Sequence, residues 1–151
     1  MRIRDAGPED AAAVVALVQE QAAEDGEASP LDEAFARGYL AGPERGVLLA
    51  VEEGESIGLL SYSVRPDLFH AGGSALIEEL LVRAPYRGKG VGTVLVRTLL
   101  ERLEGLGCAE VSVTTMPDNR GAIRFYRQLG LAEEAIYLEK HFESANGGQS
   151  K

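Results

Sequence analysis

Three alternating glycines between an apolar segment and an amphipathic one constrain the fold more than any other part of the chain. The stretch reads EELLVRAPYRGKGVGTVLVRTLL from residue 78 to residue 100, and its glycines are Gly88, Gly90 and Gly92. Apolar residues recur at helical spacing from Val91, so the turn is expected to open directly into a helix. Without Cβ atoms it exposes the unpaired amides of that helix, and Arg87 and Lys89 add positive charge. This predicts a diphosphate site at a strand-to-helix corner; a tight turn without a ligand is the alternative.

The two common nucleotide motifs do not fit this turn. A P-loop needs glycine at the position of Arg83 and a Lys-Ser/Thr pair after the last glycine, and the chain has neither. The dinucleotide fingerprint G-x-G-x-x-G fails at its third glycine, where Thr93 stands. A diphosphate carried by another kind of molecule is therefore favoured.

The remaining chain predicts one mixed sheet with helices on both faces. The expected order is a strand (MRIR), a helix (AAAVVALVQEQAA), a shorter helix (LDEAFARGYL), a hairpin (GVLLAVEEGESIGLLSYSV), a strand (SALIEELLV), a helix (90–106), a strand (AEVSVTT), a helix (DNRGAIRFYRQLG) and one or two final strands (LAEEAIYLEKHF). The strand–helix–strand unit over 75–115 is a crossover, so its two strands should run parallel.

Charge and composition exclude several functions. Fifteen basic against 24 acidic residues give a net charge of −9, which argues against nucleic acid as a partner. No apolar run approaches the ~20 residues of a membrane span, and no secretory signal is recognised, so a cytoplasmic protein without a membrane partner is expected. Cys108 is the single cysteine, and His70 and His141 lie far apart, so no metal site is predicted. The acidic segment 20–33 is either a solvated face or an attractor for a cationic ligand.

The glycine turn matches the acetyl-CoA signature R/Q-x-x-G-x-G/A, and with it the sequence resembles the GCN5-related N-acetyltransferases. A second motif of that family is matched in NRGAIRFYRQLGLAEE. Its matching residues are Asn119, Ala122, Phe125, Tyr126, Leu129 and Gly130. The resemblance covers residues 1–142, which are expected to form one domain of α/β (α+β) class, with residues 143–151 as a polar, disordered tail. It implies a mostly antiparallel sheet with one splayed parallel strand pair.

The resemblance also implies where acetyl-CoA binds. The backbone of the strand before the turn would pair with the pantetheine arm, and the turn would hold the pyrophosphate. The implied donor-binding residues are Leu80, Leu81, Val82, Arg87, Gly88, Lys89, Gly90, Val91, Gly92, Thr93, Asn119 and Tyr126.

Two residues are expected to move protons during direct acetyl transfer to an amine. The resemblance implies that the Tyr126 hydroxyl protonates the leaving thiolate, which a phenol with pKa of ~10 can do; a core tyrosine is the alternative. Glu78 is implied as the base, acting through water. Strand alternation would place Glu79 on the opposite face as a spare carboxylate.

The overall expectation is an acetyl-CoA-dependent N-acetyltransferase without a metal. The acceptor would be a small-molecule or peptide primary amine, with small cationic amines favoured, and a homodimer is compatible with the family. A non-catalytic acyl-CoA-binding sensor or regulatory module is the alternative.

Overall fold

The computed structural model describes residues 1–143, which form five strands and four α-helices. The strands are β1 (Arg2–Asp5), β2 (Arg45–Glu52), β3 (Glu55–Asp67), β4 (Gly72–Val82) and β5 (Glu110–Val113), and the helices are α1 (Ala11–Glu24), α2 (Glu33–Ala41), α3 (Val91–Gly105) and α4 (Arg120–Gln128). Short 3-10 helices, Pro8–Asp10 and Ala84–Tyr86, precede α1 and the glycine turn. The predicted order is confirmed as far as α4. No helix within residues 1–143 is long and apolar enough to cross a bilayer.

The sheet has the order β1-β2-β3-β4-β5. Neighbouring strands are antiparallel from β1 to β4, whereas β4 and β5 are parallel. The parallel pairing runs only from Ser74–Glu110 to Ile77–Val113, while β4 continues to Val82 with β3 as its partner. The two parallel strands therefore separate beyond Ile77. This confirms the mixed, mostly antiparallel sheet with one splayed parallel pair.

A β-bulge interrupts β4 at the point where the strands separate. Ser61 pairs with Glu79 and Tyr62 pairs with Ile77, so Glu78 is an extra residue in the ladder. Beyond the bulge, Leu80 joins the same apolar cluster as Ile77, and the side chain of Glu79 points to the other face. Strict alternation, which would put Glu79 and Ile77 on one face, therefore fails at this point of β4.

Helices pack on both faces of the sheet, as predicted. On one face, Leu95, Leu99 and other residues of α3 pack with α4 against the sheet, and both leucines are completely buried. On the other face, Val14 and Leu17 of α1 pack against β2 and β3. Burying a leucine contributes about 1.5–3 kcal/mol, so these two layers stabilise the corner between β4 and α3.

The buried faces of α2 and α3 contain other residues than the sequence suggested. The apolar periodicity that begins at Val91 would bury Val94 and Leu106 of α3, but both are exposed, and Val96 is buried instead. In α2 the buried residue is Ala36, whereas Phe35 is exposed. The exact rotation of each helix depends on the surface that it meets, which the periodicity alone does not specify.

The final strands predicted after α4 are absent from residues 131–143. The apolar side chains Ile136, Tyr137, Leu138 and Phe142 are exposed there. Strand propensity needs an edge to pair with, and the neighbouring edge strand β5 is only four residues long. The tail predicted for 143–151 lies outside the described residues from 144 onward.

Candidate active site

A groove of about 450 Å³ lies where β4, α1, the glycine turn and α4 meet. The predicted donor-binding residues that line it are Leu80, Val82, Arg87, Gly88, Gly90, Val91, Gly92 and Thr93. Gln21, Tyr86 and Phe125 complete the lining, and the sequence analysis did not assign them. Tyr86 directly precedes the turn, so its position could have been noticed; Gln21 reaches the groove only through the packing of α1.

The glycine turn has the backbone that an anion site requires. Gly88 and Gly90 have φ values of +73° and +86°, which side chains with a Cβ rarely adopt. Gly90 is the N-cap residue of α3, and no side chain caps that helix end. A Cβ on Gly88 or Gly90 would meet nothing within 4 Å, so the main chain is open to a ligand. The turn and the first amides of α3 therefore fit a diphosphate.

Arg87 is fixed between β4 and α1. Its Nε donates to the carbonyl of Val82 at 2.7 Å, and its terminal nitrogens donate to the Glu24 carboxylate at 2.8 and 2.9 Å. The hydrogen bond from Arg87 lowers the pKa of Glu24. Arg83 forms a second ion pair with Glu20 at 3.2 Å. Two acids of the segment 20–33 are thus paired beside the groove, which favours a structural role for them over attraction of a cationic ligand.

Four predicted donor-binding residues are not part of the groove lining. The side chain of Leu81 packs on the opposite face of the sheet. Lys89 lies over the ring of Tyr86, with 6.0 Å from Nζ to the ring centroid. Asn119 caps α4, since its side chain accepts from the amide of Ala122 at 3.1 Å. The fourth is Tyr126.

Phe125 and Tyr126 are neighbours on α4 with different surroundings. Phe125 is half-buried; it packs against the core cluster around α3 and also lines the groove. Tyr126 is 8% exposed and belongs to the core cluster around α3, with its ring centroid 5.0 Å from that of Phe125. Burial raises the pKa of Tyr126, so its hydroxyl stays protonated at neutral pH.

The carboxylates of Glu78 and Glu79, at the β4 bulge, are both exposed, and their negative charges affect the pKa of the Tyr39 hydroxyl. Burial, together with the negative charges of Glu78 and Glu79, raises the pKa of Tyr39 to about 12. Tyr39 belongs to α2 and packs in the cluster on the α1 side of the sheet. The bulge interrupts the strict alternation of β4 on which the prediction of opposite faces for Glu78 and Glu79 rested.

A second polar cluster lies at the other end of β4. One ligand atom each of Asp67, His70 and Glu110 lies within 4.8 Å of the others. Asp67 accepts from Ser74 at 2.7 Å and pairs with His70 Nδ1 at 2.6 Å. Ser74 and His70 together hold the Asp67 carboxylate in place. The sequence analysis missed the cluster because it compared only the two histidines.

Known proteins are similar to this chain in sequence and in fold. The sequence profile described as the Acetyltransferase (GNAT) family matches residues 12–131. Aminoalkylphosphonate N-acetyltransferase of Salmonella typhimurium is 30% identical over 140 residues, which are 93% of this chain and 86% of that protein.

Two solved structures extend the comparison. A transcriptional regulator from Bacillus halodurans C-125 superposes with a TM-score of 0.81 at 26% identity, over 93% of this chain and 99% of that one. An aminoglycoside acetyltransferase from an uncultured soil metagenomic sample, in complex with sisomicin, shares the fold with a TM-score of 0.82 at 20% identity, over 93% and 94%. With its profile match over most of the sequence, this chain belongs to the GNAT family of acetyltransferases.

Proposed function

We propose that this chain transfers the acetyl group of acetyl-CoA directly to a primary amine, with small cationic amines as its favoured acceptors. The observation that carries the proposal is the groove, in which an uncapped helix end, two glycines with positive φ and the end of β4 line one volume of about 450 Å³. The family uses acetyl-CoA as its donor, which supplies the acetyl group as a thioester.

The main chain is proposed to hold the donor. The amides at the start of α3, around Gly90, Val91 and Gly92, would bind the pyrophosphate. Beyond Ile77 the β5 side of β4 has no strand partner within residues 1–143, so its backbone as far as Val82 is available for the pantetheine arm. The carbonyl of Val82 already accepts from Arg87, so the pantetheine pairing is expected mainly at Leu80 and Leu81.

The proposed reaction needs two proton transfers. The neutral amine attacks the thioester carbonyl, the new N–C bond forms, and the C–S bond breaks. Glu78 is proposed to accept the amine proton through water, and Tyr126 to protonate the leaving thiolate. The exposed bulge position of Glu78 supports the first role. The second role is supported by the contact of Tyr126 with Phe125, which lines the groove, and by the burial that keeps the phenol protonated.

Replacing the phenol tests the assignment of Tyr126. Tyr126→Phe should lower kcat by ~10²-fold or more while the Kd of acetyl-CoA stays unchanged, as expected for the loss of a general acid. The exposed Tyr137 offers a matched control, and Tyr137→Phe should leave both values unchanged. An unchanged kcat in Tyr126→Phe would assign this residue to the core alone.

Thiol release tests the activity itself. The wild-type chain is incubated with acetyl-CoA and a panel of a diamine, an aminoalkylphosphonate, an aminoglycoside and a peptide N-terminus. Turnover with at least one amine supports the proposal. Stoichiometric binding of CoA without thiol release from any amine would favour the sensor or regulatory module instead.

We also propose a single catalytic domain over 1–142, a cytoplasmic location and a homodimer. The exposed apolar side chains of 131–142 support a dimer, because apolar patches of this kind often mark interfaces. Light scattering at micromolar concentration should give twice the mass of 16.1 kDa. A mass of one chain at that concentration would remove the dimer from the proposal.

A further inference from the structure

The side chain of Arg87 closes a short loop beside the groove. Its Nε donates to the carbonyl of Val82, the last residue of β4, at 2.7 Å. The chain between these two residues contains the 3-10 helix Ala84–Tyr86, and Gly88, the first glycine of the turn, follows directly. The direction in which the glycine turn leaves β4 is therefore set by this side chain as well as by the backbone.

The guanidinium of Arg87 is held in turn by two residues of α1. Nη1 and Nη2 donate to the two carboxylate oxygens of Glu24 at 2.8 and 2.9 Å, and Nη2 also donates to Gln21 Oε1 at 3.3 Å. A bidentate arginine–carboxylate pair fixes the orientation of its partners as well as their distance. Because Gln21 and Arg87 both line the groove, this contact joins the wall formed by α1 to the wall formed by the glycine turn.

These contacts leave little of the Arg87 guanidinium for a ligand. An arginine carries five N–H donors, and Arg87 makes four hydrogen bonds, which go to Val82, Glu24 and Gln21. Its positive charge is also matched by the carboxylate of Glu24. An arginine that attracts a diphosphate should face the groove without a partner, whereas an arginine that holds the turn in place should be paired in this way.

A second ion pair on α1 provides a comparison within the same chain. Glu20 and Glu24 are four residues apart, so they lie on the same face of the helix. Glu20 pairs with Arg83 at 3.2 Å, and Arg83 lies four residues before Arg87. Neither Glu20 nor Arg83 belongs to the groove lining. Both pairs therefore connect α1 to the segment after β4, but the pair of Arg87 and Glu24 also adjoins the groove.

We infer that Glu24 is a positioning residue for the donor that acts through Arg87, and that the Arg87 side chain does not itself bind the diphosphate. This deepens the proposed function and rests on it. Glu24 orients the guanidinium, and the guanidinium holds the start of the glycine turn against the end of β4. The main-chain amides that follow are thereby kept in place for the pyrophosphate. Preorganised groups bind more tightly, because they are not ordered at the expense of binding.

The test measures the Kd of acetyl-CoA by calorimetry in a set of variants. Glu24→Gln and Arg87→Gln should each raise the Kd about fivefold, the upper end for an exposed ion pair, and the double variant should raise it no further. Arg87→Lys should raise it as well, because lysine keeps the charge but cannot donate to Val82 and to both oxygens of Glu24. Glu20→Gln is the matched control, and it should leave the Kd unchanged although it removes the neighbouring ion pair.

The sign of the change separates positioning from direct binding. If Arg87 bound the diphosphate, Glu24→Gln would free a cation beside the groove and lower the Kd, and Arg87→Lys would retain most of the affinity. Either result would overturn the inference. A further rise in the double variant would show that Glu24 acts apart from Arg87, and equal effects of Glu24→Gln and Glu20→Gln would reduce both residues to anchors of α1. Each of these outcomes also contradicts the inference.

Hydrogen exchange in the free chain distinguishes a failure of this inference from a failure of the proposed function. The amides of Tyr86 and Arg87 donate to the carbonyls of Arg83 and Ala84 at 2.9 and 3.2 Å. Both amides should exchange faster in Glu24→Gln than in Glu20→Gln, because the loop loses its contact with α1. If the wild-type chain binds no acetyl-CoA, the proposed function fails, and this difference would still support the positioning of the turn. Equal exchange in both variants would overturn the inference at any affinity.

Discussion

Gly92→Ala should separate donor binding from stability. Gly92 is the second residue of α3, and its φ is not in the left-handed region. A Cβ there would lie 3.5 Å from Phe125 Cζ and 3.7 Å from Leu80 Cδ2, which is ordinary van der Waals contact. The free protein therefore accepts the methyl group, and alanine should stabilise the first turn of α3 by about 0.5 kcal/mol, or ~1–2 °C in Tm.

The same methyl group would enter the groove beside the main chain proposed to hold the pyrophosphate. Pushing the diphosphate away from even one amide forfeits a charge-assisted hydrogen bond of about 1.5–3 kcal/mol, so the Kd of acetyl-CoA should rise at least ~10-fold. Calorimetry gives that Kd, and urea unfolding gives the stability. Gly105→Ala at the other end of α3 is the control: its Cβ would also meet nothing unfavourable, and it should leave the Kd unchanged. Wild-type affinity in Gly92→Ala would refute main-chain binding at this helix end.

Three further predictions concern the glycine turn, the hydrophobic core and the loop between β3 and β4. Gly90→Val should lose acetyl-CoA binding and also about 1–3 kcal/mol of stability, because valine must adopt a φ of +86°; retained calorimetric affinity would count against the turn. Leu99→Ala should lower the free energy of unfolding in urea by about 3 kcal/mol, whereas Leu106→Ala, at an exposed position, should change it by less than ~0.5 kcal/mol. The hydrogen bond with Asp67 raises the pKa of His70 above 6.5, so this pair should stabilise the wild-type chain relative to His70→Asn below pH 6.5 and lose that effect as pH rises through the folded pKa. A Tm difference independent of pH would refute the last prediction.

Local sequence signals were sufficient for the order of elements and for the corner that carries the groove. Gly88 and Gly90 were identified from spacing alone, and both have the positive φ that only their residue type readily supplies. The parallel pairing of β4 and β5 followed from the crossover rule. These features depend on residues close together in the chain, or on a rule that holds for any such connection.

Structural features that depend on residues far apart in the chain could not be predicted from the sequence. The bulge at Glu78 arises from the register between β3 and β4, so strict alternation failed there. Which of Phe125 and Tyr126 also reaches the groove depends on how α4 is rotated against the sheet, and a hydrophobic pattern with two adjacent aromatics does not specify that rotation. The pairing of Arg87 with Glu24 joins residues 63 positions apart. No local pattern encodes such a contact.

The short parallel pairing between β4 and β5 has a consequence for how fast the proposed enzyme can exchange its coenzyme. Only four residue pairs join these strands, and the opening beyond them is set by strand length and register. In the proposed reaction the donor would therefore reach the gap, and the spent coenzyme would depart, without any backbone ladder having to break first. Exchange of one coenzyme molecule for the next should accordingly be limited by diffusion into this cleft and not by separation of the two strands.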